Sequence, residues 1–470
     1  MSDASFDVRP WRWSVIPVPA SLQTSQAAAF PPGQHSQALF ERAHAVFPDG
    51  TTRITVERDP VPRYIARAEG AYLTDVDGRR FLDLNLNFTT LIHGHAFEPV
   101  RAAVESQMRS GTCFANPTEA EVELASVLCA RVPRLERIRF VNTGTEAVMF
   151  AIKAARAFTG RSRIAKIEGA YHGAYDWVEV AQASVPEDWG LPDSPAATPY
   201  YRGMPAAVLN DVVVLRFNDA AGTRELLNRR GSEIAAVVID PMPSRAGLIA
   251  PEPEFVAALQ ETAREHGILV ISDEVLNFRQ DYHGASARYG LQPHLFALGK
   301  IIGGGFPIGA VGGLGEIMSV FDGSRGRPLL PQGGTFSANP ISMVAGQAAM
   351  KALDEIAFAR LERLGNQLRN RLEDIIARAN APLSITGAAS LFRIHPKPTR
   401  PREFREAHWN PAETKVMKEM SRFLAGNGIV LPLGAAACLS TTMGEAEIET
   451  ISGVFEAFLS ENSALLEEIA

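Results

Sequence analysis

Cysteine is scarce in this 470-residue chain, with only Cys113, Cys129 and Cys438. The three are far apart and show no Cys-x-x-Cys or Cys/His spacing, which argues against a disulfide framework and against a zinc site, so no metal is expected. Long apolar runs are also missing, and no stretch approaches the roughly 20 residues of a membrane span. Neither sign of charge dominates. The net charge is -7 and basic clusters such as Arg229-Arg230 are short, so nothing favours nucleic acid or an anionic membrane as partner. The first thirty residues carry Asp3 and Asp7 among broken apolar pieces such as Val15-Ile16-Pro17, unlike a secretory leader. A reduced, cytoplasmic protein is expected.

What is present is a globular composition, 46% apolar and 21% charged, on a chain long enough for two or three domains. Residues 1 to 35 are rich in Pro, Ser, Gln and Ala without periodicity, and read as an arm lying on another surface. A helix is expected from Gln37 to Val46, stopped by Phe47-Pro48-Asp49-Gly50. It belongs to a segment, 36 to 71, expected to pack with the C-terminal part. Short strands follow from Tyr72 to Leu84, then helices over Phe97 to Arg109 and Glu119 to Arg131. Apolar runs then recur at Ile138 to Val141, Arg163 to Ile167, Val212 to Leu215, Ala235 to Ile239, Ile268 to Ile271 and Leu295 to Leu298, separated by helical stretches. Runs that are apolar on both faces and joined through helices indicate a mainly parallel sheet covered on both sides, hence an α/β fold. The large domain is placed at 72 to 338. After Asn339-Pro340, helices over Ile341 to Ile356 and Arg360 to Arg378, strands within 384 to 394 and 428 to 431, and a last helix over Glu445 to Leu459 make a smaller α+β domain, 339 to 470.

In an open parallel sheet, ligands sit outside the carboxyl ends of the strands, so the residues that follow each run carry the chemistry. Thr143, Gly144 and Thr145 open a helix whose free N–H groups and dipole suit an anion such as phosphate, although capping alone also explains a Thr there. Lys300 lies between apolar residues and the run Gly303-Gly304-Gly305. Partial desolvation favours its neutral amine, the form that bonds to a carbonyl, and the glycines let a planar ring approach; the alternative is a surface lysine in a loop. Asp273 ends an apolar run and needs a partner if buried. A protonated pyridine nitrogen is one such partner, and a salt bridge or helix cap is the alternative. Tyr171 or His172 can stack on the ring, or pack in the core.

Taken together, Asn-Thr-Gly-Thr-Glu-Ala at 142 to 147, Tyr-His-Gly at 171 to 173, Ser-Asp-Glu-Val at 272 to 275, Leu-Gly-Lys-Ile-Ile-Gly-Gly-Gly at 298 to 305 and Gly-Thr-Phe-Ser-Ala-Asn-Pro at 334 to 340 resemble the class III aminotransferases in order and spacing, over roughly residues 37 to 460. The nearest look is to the branch of glutamate-1-semialdehyde aminomutase, through Gly111-Thr112-Cys113-Phe114, Pro117-Thr118-Glu119 and Pro192-Asp193-Ser194-Pro195. The resemblance implies the fold-type I architecture with a seven-stranded sheet, pyridoxal phosphate as cofactor, and a homodimer with shared active sites. It makes Lys300 the Schiff-base lysine and proton shuttle, Asp273 the partner of the pyridine nitrogen and Tyr171 the stacking aromatic. Gly144 and Thr145 would bind the phosphate, and Thr335 would reach the neighbouring subunit's phosphate. Asp240 and Met242 would contact the ring.

Departures from the pattern bear on the reaction. Asp240-Pro241-Met242 stands where the family resembles Glu-Pro-Val, and Leu276-Asn277-Phe278-Arg279 is one residue shorter than the aminomutases' Met-Thr-Gly-Phe-Arg. Pro331 replaces a Tyr, and Gly434-Ala435-Ala436-Ala437-Cys438 lacks the acidic residue of their pocket loop. An enzyme that must retain a diamine intermediate is poorly served by losing polar lid groups. Pro48-Asp49-Gly50-Thr51-Thr52-Arg53 is similar to the loop of transaminases acting on beta-amino acids, so Arg53 is a candidate clamp for a substrate carboxylate, with Phe88 as a second substrate contact; Arg245 and Arg279 also follow pocket strands, and Arg53 otherwise reads as a surface arginine. The expected activity is amino transfer from a beta-amino acid or amine to a 2-oxo acid, ping-pong through pyridoxamine phosphate. The alternatives are an aminomutase or a non-catalytic cofactor-binding protein.

Overall fold

The structure is a computed structural model and describes residues 33 to 58 and 60 to 470; most of the arm assigned to 1 to 35 lies outside the described residues. Its strands in chain order are β1 (Ile65–Glu69), β2 (Tyr72–Asp75), β3 (Arg80–Asp83), β4 (Arg137–Val141) and β5 (Arg163–Ile167). A small ladder, β6 (Gly190–Leu191) and β7 (Ser194–Pro195), precedes β8 (Val212–Leu215), β9 (Ile234–Ile239), β10 (Leu269–Asp273), β11 (Leu295–Gly299) and β12 (Gly309–Gly313). The last four are β13 (Ser384–Thr386), β14 (Leu391–His395), β15 (Ile429–Val430) and β16 (Ala437–Cys438).

Seven strands form the main sheet in the order β4-β12-β11-β10-β9-β5-β8. Pairing is parallel from β11 through β10, β9 and β5 to β8, and β12 runs antiparallel between β11 and β4. This is a mainly parallel seven-stranded α/β sheet, as the resemblance implied. Alternation along β9 shows why its apolar run is continuous. Ala236 and Val238 join Ala151 and Ile152 of the helix Gly144–Thr159 on one face. Val237 and Ile239 meet Phe255 and Leu259 of the helix Pro253–Glu265 on the other. A strand wedged between two helical layers has no polar face to offer, so both side-chain sets are hydrophobic.

β12 reads Gly-Ala-Val-Gly-Gly and escapes an apolar-run reading, yet its glycines are required by crowding. A Cβ on Gly309 would stand 2.0 Å from the Thr143 carbonyl oxygen, and one on Gly312 would stand 2.7 Å from that of Arg137. The strand can therefore lie flush against β4 and the turn that follows it. The helical reading over Ile341 to Ile356 divides into Pro340–Ala352 and Glu355–Ala379, because Asp354 accepts from Ala357 N at 2.8 Å and caps a new helix.

The C-terminal helices Glu355–Ala379, Pro411–Gly426 and Glu445–Glu461 enclose a separate core with β13 to β16. Leu82, Leu84 and Leu86 from the N-terminal part enter that core, as do Met242 and Leu248 from beyond β9. β15 pairs parallel with β3, so residues more than 340 apart in sequence share one four-stranded sheet.

Candidate active site

Asp240, Asp273 and Lys300 stand where the neighbouring strands β9, β10 and β11 end, and the turn Asn142-Thr143-Gly144 ends β4. At this turn Thr143 accepts from Glu146 N at 3.1 Å, and the Glu146 carboxylate reaches back to Asn142 N at 2.6 Å. The reciprocal pair fixes the helix start, while the N–H groups of Gly144 and Thr145 in the first turn have no intrahelical acceptor. The Thr145 hydroxyl accepts from Ala174 N at 3.2 Å, tying the Tyr-His-Gly loop to the same corner.

Close packing at this corner depends on missing side chains. A Cβ on Gly144 would come within 2.7 Å of Val275 Cγ1, and one on Gly299 within 3.2 Å of the same atom. Gly144, Val275 and Gly299 therefore stack directly, bringing the helix start, the residue after Asp273–Glu274 and the residue before Lys300 into one cradle.

Asp273 is buried, with His172 Nδ1 at 2.7 Å from Oδ2 and Val275 N donating to Oδ1 at 3.0 Å. Burial lowers the His172 pKa, although Asp273 works in the opposite direction. Because a carboxylate only accepts, the Nδ1 that faces Asp273 carries a proton. Nε2 is buried with no partner among the described residues. His172 consequently serves Asp273, and the exposed ring at this place is Tyr171, 46% exposed, with the Arg245 guanidinium 4.4 Å from its centroid. The residues alone allowed either ring to stack and the resemblance gave that role to Tyr171; the structure gives the two rings different partners.

Lys300 has φ of +49°, a conformation that costs a residue with a Cβ and is found where a site dictates the backbone. Burial pulls its amine down to about 8, against Asp273 and Asp240, which favour the charged form. The Asp240 carboxyl is pushed well above the usual range by burial and by Asp273. Met242 is fully buried, its sulfur 3.6 Å from the Tyr289 hydroxyl.

Arg53 and Phe88 are brought together. Arg53 Nη1 donates to Asn87 Oδ1 at 3.0 Å and its guanidinium lies 6.0 Å from the Phe88 ring centroid. Leu86, Asn87, Phe88 and Thr89 have successive positive φ values of 46°, 51°, 54° and 71°, a left-handed turn without a glycine. No sequence signal announces it. Arg279 holds it in place, donating to Thr89 O at 2.8 Å, to Ser390 Oγ and to Leu439 O. Fully buried and committed to those acceptors, Arg279 is a brace and not a substrate clamp. Arg245 has no carboxylate partner among the described residues. Thr335 is exposed on the loop between β12 and the helix Pro340–Ala352.

This set fits a phosphorylated pyridine aldehyde. The open N–H groups at Gly144 and Thr145 suit the phosphate, Asp273 a ring nitrogen, and the lowered amine of Lys300 the aldehyde carbon.

Residues 54–438 match the family described as aminotransferase class-III. A glutamate-1-semialdehyde 2,1-aminomutase of Methanothermobacter thermautotrophicus is 37% identical over 423 residues, covering 90% of this chain and 97% of that one. An omega-transaminase structure from Sphaerobacter thermophilus is 48% identical with a TM-score of 0.89, covering 92% of this chain and 99% of that one. A beta-phenylalanine aminotransferase from Variovorax paradoxus is 31% identical with a TM-score of 0.81, covering 92% and 95%.

Proposed function

The chain belongs to the class-III aminotransferase family of pyridoxal phosphate enzymes, and from that premise we propose that it moves the amino group of a beta-amino acid or amine to a 2-oxo acid in two half-reactions. Bound pyridoxal phosphate supplies an electron sink for the carbon that loses its proton. Asp273, oriented by His172 and the Val275 N–H, keeps the ring nitrogen charged. Lys300 is the amine that attaches to the aldehyde and the base that carries the proton, and its lowered proton affinity suits both tasks near neutral pH. Gly144 and Thr145 take the phosphate, with Thr335 from the other subunit of a homodimer, and Tyr171 covers the ring. Asp240 follows β9, on the side of Asp273 away from Lys300.

One observation carries the choice of donor: Arg53 stands beside Phe88 on the left-handed turn, which offers a cation for a carboxylate next to an aromatic face for an aryl or alkyl group. The omega-transaminase and beta-phenylalanine aminotransferase likenesses support the same reading. The test is a panel of amino donors with pyruvate or 2-oxoglutarate, read by formation of alanine or glutamate. Arg53→Ala should raise the apparent KM of carboxylated donors about tenfold, the loss expected of a charge-assisted contact, and leave simple amines nearly unchanged. Equal effects on both donor types would make Arg53 structural.

The second reading is an intramolecular aminomutase, and the names of the curated relatives back it better than they back the first. It calls for conversion of glutamate-1-semialdehyde into its amino-shifted isomer without any external acceptor. Turnover of that substrate alone, with no donor in the panel yielding alanine or glutamate, would establish it in place of the transaminase.

A further inference from the structure

Behind the reactive face lies a chain of buried amides that neither the phosphate site nor the substrate contacts require. Asn277 is wholly buried in the short loop after β10, and its Nδ2 donates to Asp240 Oδ1 and also to Met242 O at 3.1 Å. Asp240 Oδ1 accepts a further N–H from Met242 at 2.9 Å. Asn277 Oδ1 in turn accepts from Gln280 Nε2, and Gln280 Oε1 accepts from the Tyr289 hydroxyl at 2.7 Å. The chain Tyr289, Gln280, Asn277, Asp240 therefore has a fixed donor direction and ends on one oxygen of a carboxyl group.

That carboxyl belongs to a crowded electrostatic group. Asp273 on β10 and Lys300 after β11 act electrostatically on Asp240, and Arg279 and Cys438 also act on Lys300. His172 stands beyond Asp273. With Asp240 buried next to a second acid, its ionised form depends on the N–H groups given to it. From the loop Leu276-Asn277-Phe278-Arg279 the Asn277 amide reaches back to the end of β9.

We propose that Asn277 is a positioning residue that holds the Asp240 carboxyl at the end of β9, from where its charge acts through space on the Lys300 nitrogen at the end of β11. The proposal rests on the reading of Lys300 as the residue that attaches the cofactor. Asn277 makes no contact with the reacting atoms in this account and acts only through Asp240. Removing its donor disfavours the ionised acid, lessens the negative charge acting on the Lys300 nitrogen, and lets that nitrogen give up its proton at lower pH.

The experiment is a pH titration of the visible absorbance of the cofactor-bound enzyme, with thermal unfolding recorded alongside. Asn277→Ala should lower the apparent midpoint by on the order of one pH unit, as expected for a lost hydrogen bond to a charged group. The isosteric Asp240→Asn should shift it the same way, and Asn277→Ala added to Asp240→Asn should shift it no further. The exchanged pair Asp240→Asn with Asn277→Asp should return the midpoint toward the parent value. If Asn277→Ala does not accumulate as folded protein, Asn277→Ser carries the same measurement. An unmoved midpoint in a folded Asn277 variant, or additive shifts in the double variant, overturns the proposal. Borohydride reduction and peptide mapping report separately whether the cofactor is on Lys300, so failure of that reading is distinguishable.

Discussion

Two lysines in this protein hold their protons less tightly than usual, and the surroundings of each nitrogen decide what that means. Lys166 is fully buried on β5 with its amine donating to Ile167 O at 3.0 Å and Val180 O at 2.8 Å, and burial brings it from 10.5 to about 7. Lys300 is brought to about 8 among acids at the strand ends. For Lys300 the consequence is chemical: only the neutral amine attacks an aldehyde, so the rate at which cofactor attaches to the stripped protein should climb with pH up to about 8 and then level. Borohydride trapping at timed intervals measures it; a rate flat from pH 6 to 9 would contradict the assignment. For Lys166 the consequence is stability. Between about 7 and 10.5 the unfolded chain holds a proton that the native one does not, so native stability gains as pH rises through that window. Lys166→Met should flatten this rise. Urea unfolding at pH 7 and 9.5 should show the parent gaining on the variant at the higher pH, and parallel behaviour would mean that the buried amine stays charged.

Elements set these residues in register, and their legibility differs for physical reasons. The parallel strands β5, β8, β9, β10 and β11 announce themselves because burial on both faces demands continuous apolar side chains. β12 does not, since its glycines answer a crowding that exists only after β4 and the Thr143 turn have come alongside. The left-handed turn at 86 to 89 was invisible for a related reason: of its sequence, Leu-Asn-Phe-Thr, only Asn87 readily takes positive φ, and a hydrogen bond that holds it comes from Arg279, 190 residues away. Lys300, Asp273 and the Gly-Thr helix start could be found as strand-end residues, whereas the His172–Asp273 pair and the Asn277–Asp240 bond join segments that only the sheet order brings together. The cradle at Gly144 gives this scale its own test. Gly144→Ala places a methyl 2.7 Å from Val275 Cγ1, on a side chain too stiff to turn away, and should loosen the helix start that takes the phosphate. Cofactor should dissociate more readily on dialysis, and Val275→Ala in the same chain should restore retention. If retention in the double variant is no better than in Gly144→Ala alone, the steric account is wrong.

For the whole molecule the question is what covers the surface around Thr335. Phe114 and Phe336 are 46% and 58% exposed, and their segments are tied together by Asn339 Nδ2 donating to Thr112 O at 2.9 Å. Two aromatic rings held on fastened loops are costly in water and are expected where another surface lands. If a second copy of the chain lands there, Thr335 is carried to that copy's phosphate site, and each site is built from two chains. A mixed dimer decides between this and a site built from one chain. Thr335→Ala should retain cofactor poorly, and Lys300→Ala should be inactive. Co-expressed with different tags and purified through both, their heterodimer contains one intact lysine, on the chain that lacks Thr335, facing a partner that has it. With sharing across the interface, that lysine regains the parent affinity for cofactor, and the heterodimer should show about half the parent activity at cofactor levels where the Thr335→Ala homodimer is mostly empty. With Thr335 serving its own chain, the same lysine still lacks its threonine. The heterodimer would then need as much added cofactor as the Thr335→Ala homodimer, and the shared site would be refuted.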